Sequence, residues 1–299
     1  MIEVFRAPAR AQCDDRAFML AAVSIPSAVD VDSAGYVVRV PYAQAAFATH
    51  HLWQYEQELR RRPRIVLPPA HVYPHAWVGS ALYVALLALV AMIVVRGWWR
   101  PDTFTIGTLD AGAVQAGQWW RAITALTLHL DIVHLMMNLG AGAAIGLLAS
   151  RQLGVGHAWL LTVLGAGLAN LVEGLFSMPG HQSVGASTAV FAALGLLAAH
   201  SWRTRGIASH PKLRRWAPLI AGAALLGLLG SGASEQVADT GTDLIAHVFG
   251  FVIGAALGIF AALPRLAIML ARVPQWMSGA LTLALVAVAW SLALVSGGA

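Results

Sequence analysis

Charge is what this chain has least of. Asp, Glu, Lys and Arg make up 11% of its 299 residues, where an ordinary soluble domain carries roughly 25%. That shortfall, beside 58% hydrophobic residues and a mean hydropathy of +0.68, removes the ordinary soluble class and leaves the membrane class. Cysteine is almost missing as well. A lone Cys13 excludes an intrachain disulfide and so an oxidised scaffold. There is no His-Glu-x-x-His run and no cysteine cluster, so no metal is expected. No Gly-rich loop ends in Lys, which argues against nucleotide-driven transport, and no cofactor is expected. The first sixteen residues mix Glu3, Arg6, Arg10, Asp14 and Asp15 without an apolar core, so no cleavable signal peptide is expected.

What is present falls into two regions. Residues 1–74 read as a small soluble α+β domain, with a helix from Phe18 to Ile25, a strand from Gly35 to Val40 and a helix from Ala43 to Arg60. A basic linker follows, Arg60-Arg61-Arg62-Pro63-Arg64 and then Pro68-Pro69. Residues 75–299 read as an all-α polytopic membrane domain. Its apolar runs lie at about 77–96, 124–149, 157–176, 184–202, 216–231, 242–263 and 274–296, each near the ~20 residues a helix needs to cross hydrocarbon. Backbone polar groups cannot stay unpaired in lipid, so these runs are helices.

The net charge of +5 sits in short clusters between these runs, which suits topology better than nucleic-acid binding. The linker, Arg151, the run Arg203, Arg205, Lys212, Arg214 and Arg215, and the pair Arg265 and Arg272 all fall on one side. Arg96, Arg100, Arg121, Glu235, Asp239 and Asp243 fall on the other. The basic side is cytoplasmic. The N-terminus is then inside, the C-terminus outside, and the setting a multi-pass protein of a bacterial inner membrane.

Polar groups inside a membrane helix are costly, so each needs a reason. The second helix has His129, His134 and Asn138, the fourth Ser187, and the sixth His247. These three helices run in the same direction, and the polar residues lie a few residues after the outer end of each. At ~1.5 Å of rise per residue they converge on one depth. A serine and histidines at one level, shielded from bulk water, are the parts of an acyl-transfer centre. Ser187 is the candidate nucleophile and His247 its general base. A serine in an apolar helix otherwise just bonds back to its own backbone. Small residues at Gly250 and Gly254 let the sixth helix approach another backbone closely, although such spacing is common in ordinary packing.

The residues around these groups resemble the rhomboid family of intramembrane proteases. Gly185-Ala186-Ser187-Thr188-Ala189-Val190-Phe191 is similar to its nucleophile segment. Ala246-His247-Val248-Phe249-Gly250 with Gly254 is similar to its base helix. His134-Leu135-Met136-Met137-Asn138 is similar to its His-x-x-x-Asn segment, and Trp120-Arg121 to the pair in its long first outer loop. The likeness covers about residues 77–265 and departs at Thr188, where the family often has Gly, and at Ala149-Ser150-Arg151, where it often has Glu.

The resemblance implies a rhomboid-like bundle of six helices plus one C-terminal helix. It implies a Ser187–His247 dyad, with His134, Asn138 and the Ser187 N–H as oxyanion donors. Phe191 would pack on the base, and Arg121 would hold the outer loop. Implied substrates are transmembrane segments of other proteins within the lipid bilayer. The rivals are a catalytically inactive rhomboid-like binder, which would lack the serine or the histidine, and a transporter, which would carry mid-membrane carboxylates. Asp243, four residues before His247, reads as a helix-start residue rather than a third catalytic group. Glu173, His129 and His181 read as interfacial. The oligomeric state is not legible.

Overall fold

A computed structural model of the protein describes residues 1–61, 73–99, 102–207, 212–231 and 241–297; it leaves aside the side chains at 60–61, 206–207, 212–214, 229–231 and 241–243. The linker residues Arg62, Pro63, Arg64, Pro68 and Pro69, together with Arg100, Glu235 and Asp239, lie outside the described residues. So do the side chains of Arg60, Arg61, Lys212, Arg214 and Asp243. The chain divides into two compact units, Met1–Val66 and Leu67–Ala299.

The first unit runs β1 (Ile2–Ala7), α1 (Arg10–Ala22), β2 (Ala28–Asp32), β3 (Gly35–Val40) and α2 (Ala45–Arg61). Its sheet has the order β1-β3-β2, with both pairings antiparallel. Val38 and Val40 of β3 meet Cys13 and Leu20 of α1 and Ala48 and Leu52 of α2 in one buried core. Arg16 ties the helices together, donating to Glu56 at 2.6 Å. The sequence reading missed β1 and β2 and started the first helix at Phe18 instead of Arg10. β1 mixes Glu3 and Arg6 among its apolar residues, and β2, although Val29-Asp30-Val31-Asp32 alternates, is only five residues long, so neither stands out alone. Pairing with the apolar β3 is what makes them strands.

The second unit runs α3 (Trp77–Arg96), α4 (Thr103–Gly107), β4 (Leu109–Asp110), α5 (Ala111–Gln115), α6 (Arg121–Thr124), α7 (Ile132–Leu153), α8 (Val155–Phe176), β5 (Gln182–Ser183), α9 (Ser187–Ile207), α10 (Lys212–Ser231), α11 (Gly241–Ala261), α12 (Pro264–Arg272) and α13 (Gln275–Gly297). Among the described residues, five helices are long and apolar enough to cross a membrane: α3, α7, α8, the Leu244–Ala261 stretch of α11, and α13. The expected fourth and fifth spans are helices too, α9 and α10. However, α9 ends in His200, Arg203 and Arg205, and among the described residues of α10 the apolar stretch is Arg215–Leu228. The reason for the modest hydropathy of α9 lies in its position. It packs against α7, α8, α10 and α11, and nearly every residue from Thr188 to Ala199 is buried. A helix surrounded by protein needs small residues for close approach, not large ones for lipid.

Two boundaries differ from the sequence reading. The expected run 124–149 is broken, because a short 3-10 turn closes at Thr127 and α7 starts only at Ile132. Asp131 caps it, its side chain accepting from the His134 N–H at 2.8 Å, a favourable use of a carboxylate at a helix start. The fourth helix starts at Ser187 itself, after a Gly185 with φ of +134°. The short α12 was not foreseen. It bears Arg265 and Arg272 and leaves Ile268 and Met269 exposed, the pattern of a helix lying in a membrane interface.

Candidate active site

The segment that leads into α9 is held by the first long loop. β4 pairs antiparallel with β5, Leu109 opposite Ser183 and Asp110 opposite Gln182. The Ala111 N–H donates to the His181 carbonyl at 3.0 Å, and the Gly185 N–H donates to the Ala125 carbonyl at 3.0 Å. Ser187 therefore leaves a loop tied down on both sides and stands at the first position of α9, half-buried.

The loop that does this is organised by Arg121. Its guanidinium donates to the carbonyls of Thr105 at 2.9 Å and Thr108 at 2.7 Å and to the Gln118 side chain at 2.6 Å. Burial lowers its pKa, but an arginine stays charged regardless. Trp120 packs against the buried cluster that contains Ile123, Val286 and Trp290. Thr124 donates to the Gly107 carbonyl at 2.7 Å, and Asn170 of α8 donates to the Ala122 carbonyl at 3.0 Å.

Two side chains close on Gly185. A Cβ there would stand 2.8 Å from His134 Cε1 and Nε2 and 3.5 Å from Ser187 Oγ. The imidazole edge of His134 and the Ser187 hydroxyl thus flank one backbone point, where a side chain would crowd the imidazole. Ala186 is buried just behind. Asn138, one turn along α7 from His134, is also buried. It donates through Nδ2 to the His134 carbonyl at 3.0 Å, while its own carbonyl accepts from Tyr83 Oη at 2.8 Å. One of the two Asn138 amide hydrogens is therefore engaged within its own helix.

His247 is brought to the same level by contact of backbone on backbone. A Cβ on Gly250 would be 2.6 Å from the Thr188 carbonyl oxygen, one on Gly254 2.0 Å from that of Ala192, and one on Gly258 2.3 Å from that of Leu196. In return, a Cβ on Gly195 of α9 would be 2.1 Å from the Phe251 carbonyl oxygen. The pairing advances by four on both helices at each step, so α9 and α11 run parallel in close register. His247, about one turn before Gly250, then faces the first turn of α9. Its ring is buried and lies 4.5 Å, centroid to centroid, from that of Phe191, tilted by 41°. Thr188, at the position where the resemblance leads one to expect glycine, is buried in this seam, with Cγ2 3.3 Å from the place of a Gly250 Cβ.

Three further groups, read from the sequence as interfacial, have protein partners in the fold. Glu173 is buried, and His181 Nε2 lies 2.8 Å from its Oε1, joining α8 to the loop before β5. His129 lies against the segment that leads into α9: Nε2 accepts from the Ala186 N–H at 3.4 Å, and its ring is 5.1 Å from that of His134. Burial, and secondarily the neighbouring His134, push the His129 pKa down to about 4. Its five-residue offset from His134, with helix start between them, hid it from a reading based on helix faces.

These parts could perform acyl transfer: the hydroxyl of a half-buried serine at a helix start, an imidazole close to the residue before that turn, and a buried imidazole facing the same turn. Comparison with known proteins points to one family. Residues 116–264 match the family model of the Rhomboid domain. The chain is 32% identical over 119 residues to Rhomboid protease GluP of Bacillus subtilis (strain 168), covering 39% of this chain and 23% of that protein. It is 31% identical over 192 residues to Rhomboid-like protease 2 of Toxoplasma gondii, covering 62% and 63%. It is 32% identical over 155 residues to RHOMBOID-like protein 4 of Arabidopsis thaliana, covering 52% and 37%. The chain thus spans less than two thirds of the length of these relatives.

Proposed function

From the premise that the chain is a member of the rhomboid family through the domain at residues 116–264, we propose that it is an intramembrane serine endopeptidase that cuts transmembrane segments of other membrane proteins. The observation that carries the reading is the α9–α11 seam, which sets His247 beside the turn that begins with Ser187, while the His134 imidazole and the Ser187 hydroxyl both lie near Gly185.

In this reading His247 accepts the proton of Ser187 Oγ as the hydroxyl attacks the scissile carbonyl, and then gives it to the leaving amine. The negative oxygen of the tetrahedral intermediate is met by the Ser187 N–H, His134 and the remaining Asn138 amide hydrogen. Water then cleaves the acyl-enzyme, with His247 again as base. Phe191 keeps the His247 ring upright, and Arg121 and Trp120 keep the loop that anchors Gly185. The substrate must unwind locally to enter, because carbonyls in a helix are already hydrogen-bonded. Helix-weakening residues near the cut are expected.

The proposed topology puts the N-terminal unit and the basic loops in the cytoplasm, the site toward the opposite face and the C-terminus outside, in a bacterial inner membrane. The assay is cleavage of a reporter transmembrane segment in liposomes. Wild type should cut it, and Ser187→Ala and His247→Ala should not, while both stay folded. A fluorophosphonate should label wild type alone. Labelling that survives Ser187→Ala would overturn the assignment of the nucleophile. A silent but folded wild type would leave a binder of membrane segments.

A further inference from the structure

The first halves of α3, α8 and α13 do not close on one another. They leave an apolar cavity of about 310 Å³ that runs from Gly156 and Gln275 up to Thr127, Ala186 and Ala189. Its mouth is formed by Leu82, which is 53% exposed, Leu283 at 52% and Trp276 at 72%, on helices apolar enough to cross a membrane. Four polar side chains on its wall are already committed, while Trp159, whose buried Nε1 has no hydrogen-bond partner among the described residues, and Thr162 also line it. Tyr83 donates to the Asn138 carbonyl, Thr127 to that of Thr124, Thr282 to that of Ser278, and Gln275 to that of Leu153. The rest of the wall is almost entirely hydrocarbon.

We propose that this cavity is a binding site for one acyl chain of a bilayer lipid. The chain would enter between α3 and α13, and its tip would rest against Ala186 and Ala189 behind the nucleophile turn. Size selects this occupant. A helix with its side chains is about 10 Å across and would not fit. An apolar cavity of ~150 Å³ takes a six-carbon ring, so this one takes roughly twelve carbons. The site opens to lipid, where acyl chains are the medium itself. Left empty, its wall would lose dispersion contacts over its whole length. The chain would back the segment that carries Ser187, on the face away from His247.

The full-length protein, reconstituted in liposomes containing a phosphatidylcholine with a diazirine on one acyl chain, is photolysed, and adducts are mapped by mass spectrometry. Leu82, Val163 and Leu283 should be labelled about tenfold more than Val252 and Phe260, exposed residues on α11. Ala280→Phe and Val163→Phe, which fill the cavity from two helices, should each remove the enrichment and leave Val252 and Phe260 labelled as before. Equal labelling of both sets in wild type would overturn the site. So would an enrichment that both fillings leave intact. Absence of cavity adducts together with a dimeric mass would assign the space to a second copy instead.

Discussion

Gly254→Ala is the most informative single change, because it acts on the seam rather than on a reacting group. The added Cβ would lie 2.0 Å from the Ala192 carbonyl oxygen, 2.7 Å from its carbon and 2.8 Å from its Cα. These are backbone atoms of a buried helix, so no rotamer change relieves them. Ordinary contact begins near 3.4 Å, so α11 must retreat by about 1.4 Å at this level. The seam cannot pivot freely, since Gly250, Gly258 and Gly195 are in the same kind of contact on either side. Much of the displacement therefore reaches His247, two turns away. A misplacement of about 1 Å costs on the order of a hundredfold in rate, close to 2.7 kcal/mol of barrier, and overpacking should lower stability by about 1–3 kcal/mol. Reporter cleavage in liposomes and thermal unfolding in detergent measure the two effects. Gly140→Ala is the control, with nothing within 4 Å of its Cβ; it should keep activity and gain slightly in helix stability. If Gly254→Ala cuts and melts like wild type, the seam does not position the base and the geometric argument fails.

Four other outcomes follow from the same geometry. Gly185→Ala should reduce cleavage by a hundredfold or more, because φ of +134° and His134 at 2.8 Å both oppose a methyl group; near-normal cleavage would mean that the corner is not tight. Arg121→Ala should loosen the first loop by roughly 1.5–3 kcal/mol, with faster limited proteolysis near Thr105, and Arg121→Lys should rescue little, since one ammonium cannot span Thr105, Thr108 and Gln118. His129, with its folded pKa near 4, binds no proton between pH 6.5 and 4 while the unfolded chain does. Stability should therefore fall as pH drops through that window, and His129→Gln should flatten the dependence seen by thermal unfolding. In the N-terminal unit, the Arg6 guanidinium and then the Ala34 N–H hold the Asp32 pKa down to about 2. The stability it lends is complete above its unfolded pKa of about 3.9 and lost as pH falls through 2; Asp32→Asn should remove that part of the acid transition.

Much of this was legible in residue type and order alone. A scarcity of charge and runs of about twenty apolar residues dictate membrane helices, since the bilayer leaves the backbone no other partner. Costly polar groups announce themselves in such helices, so Ser187, His247, His134 and Asn138 stand out one by one. Only the tertiary structure decided how they meet. The burial of α9, the passage of the chain through Gly185 into the first residue of that helix, and the grip of Arg121 on the outer loop depend on contacts between residues far apart in sequence. So do the roles of His129 and Glu173, whose neighbours come from other loops and helices. Periodicity reports what faces a helix presents; it carries no record of which backbone lies against a glycine, and that contact is what fixes the height and spacing of the groups proposed to react.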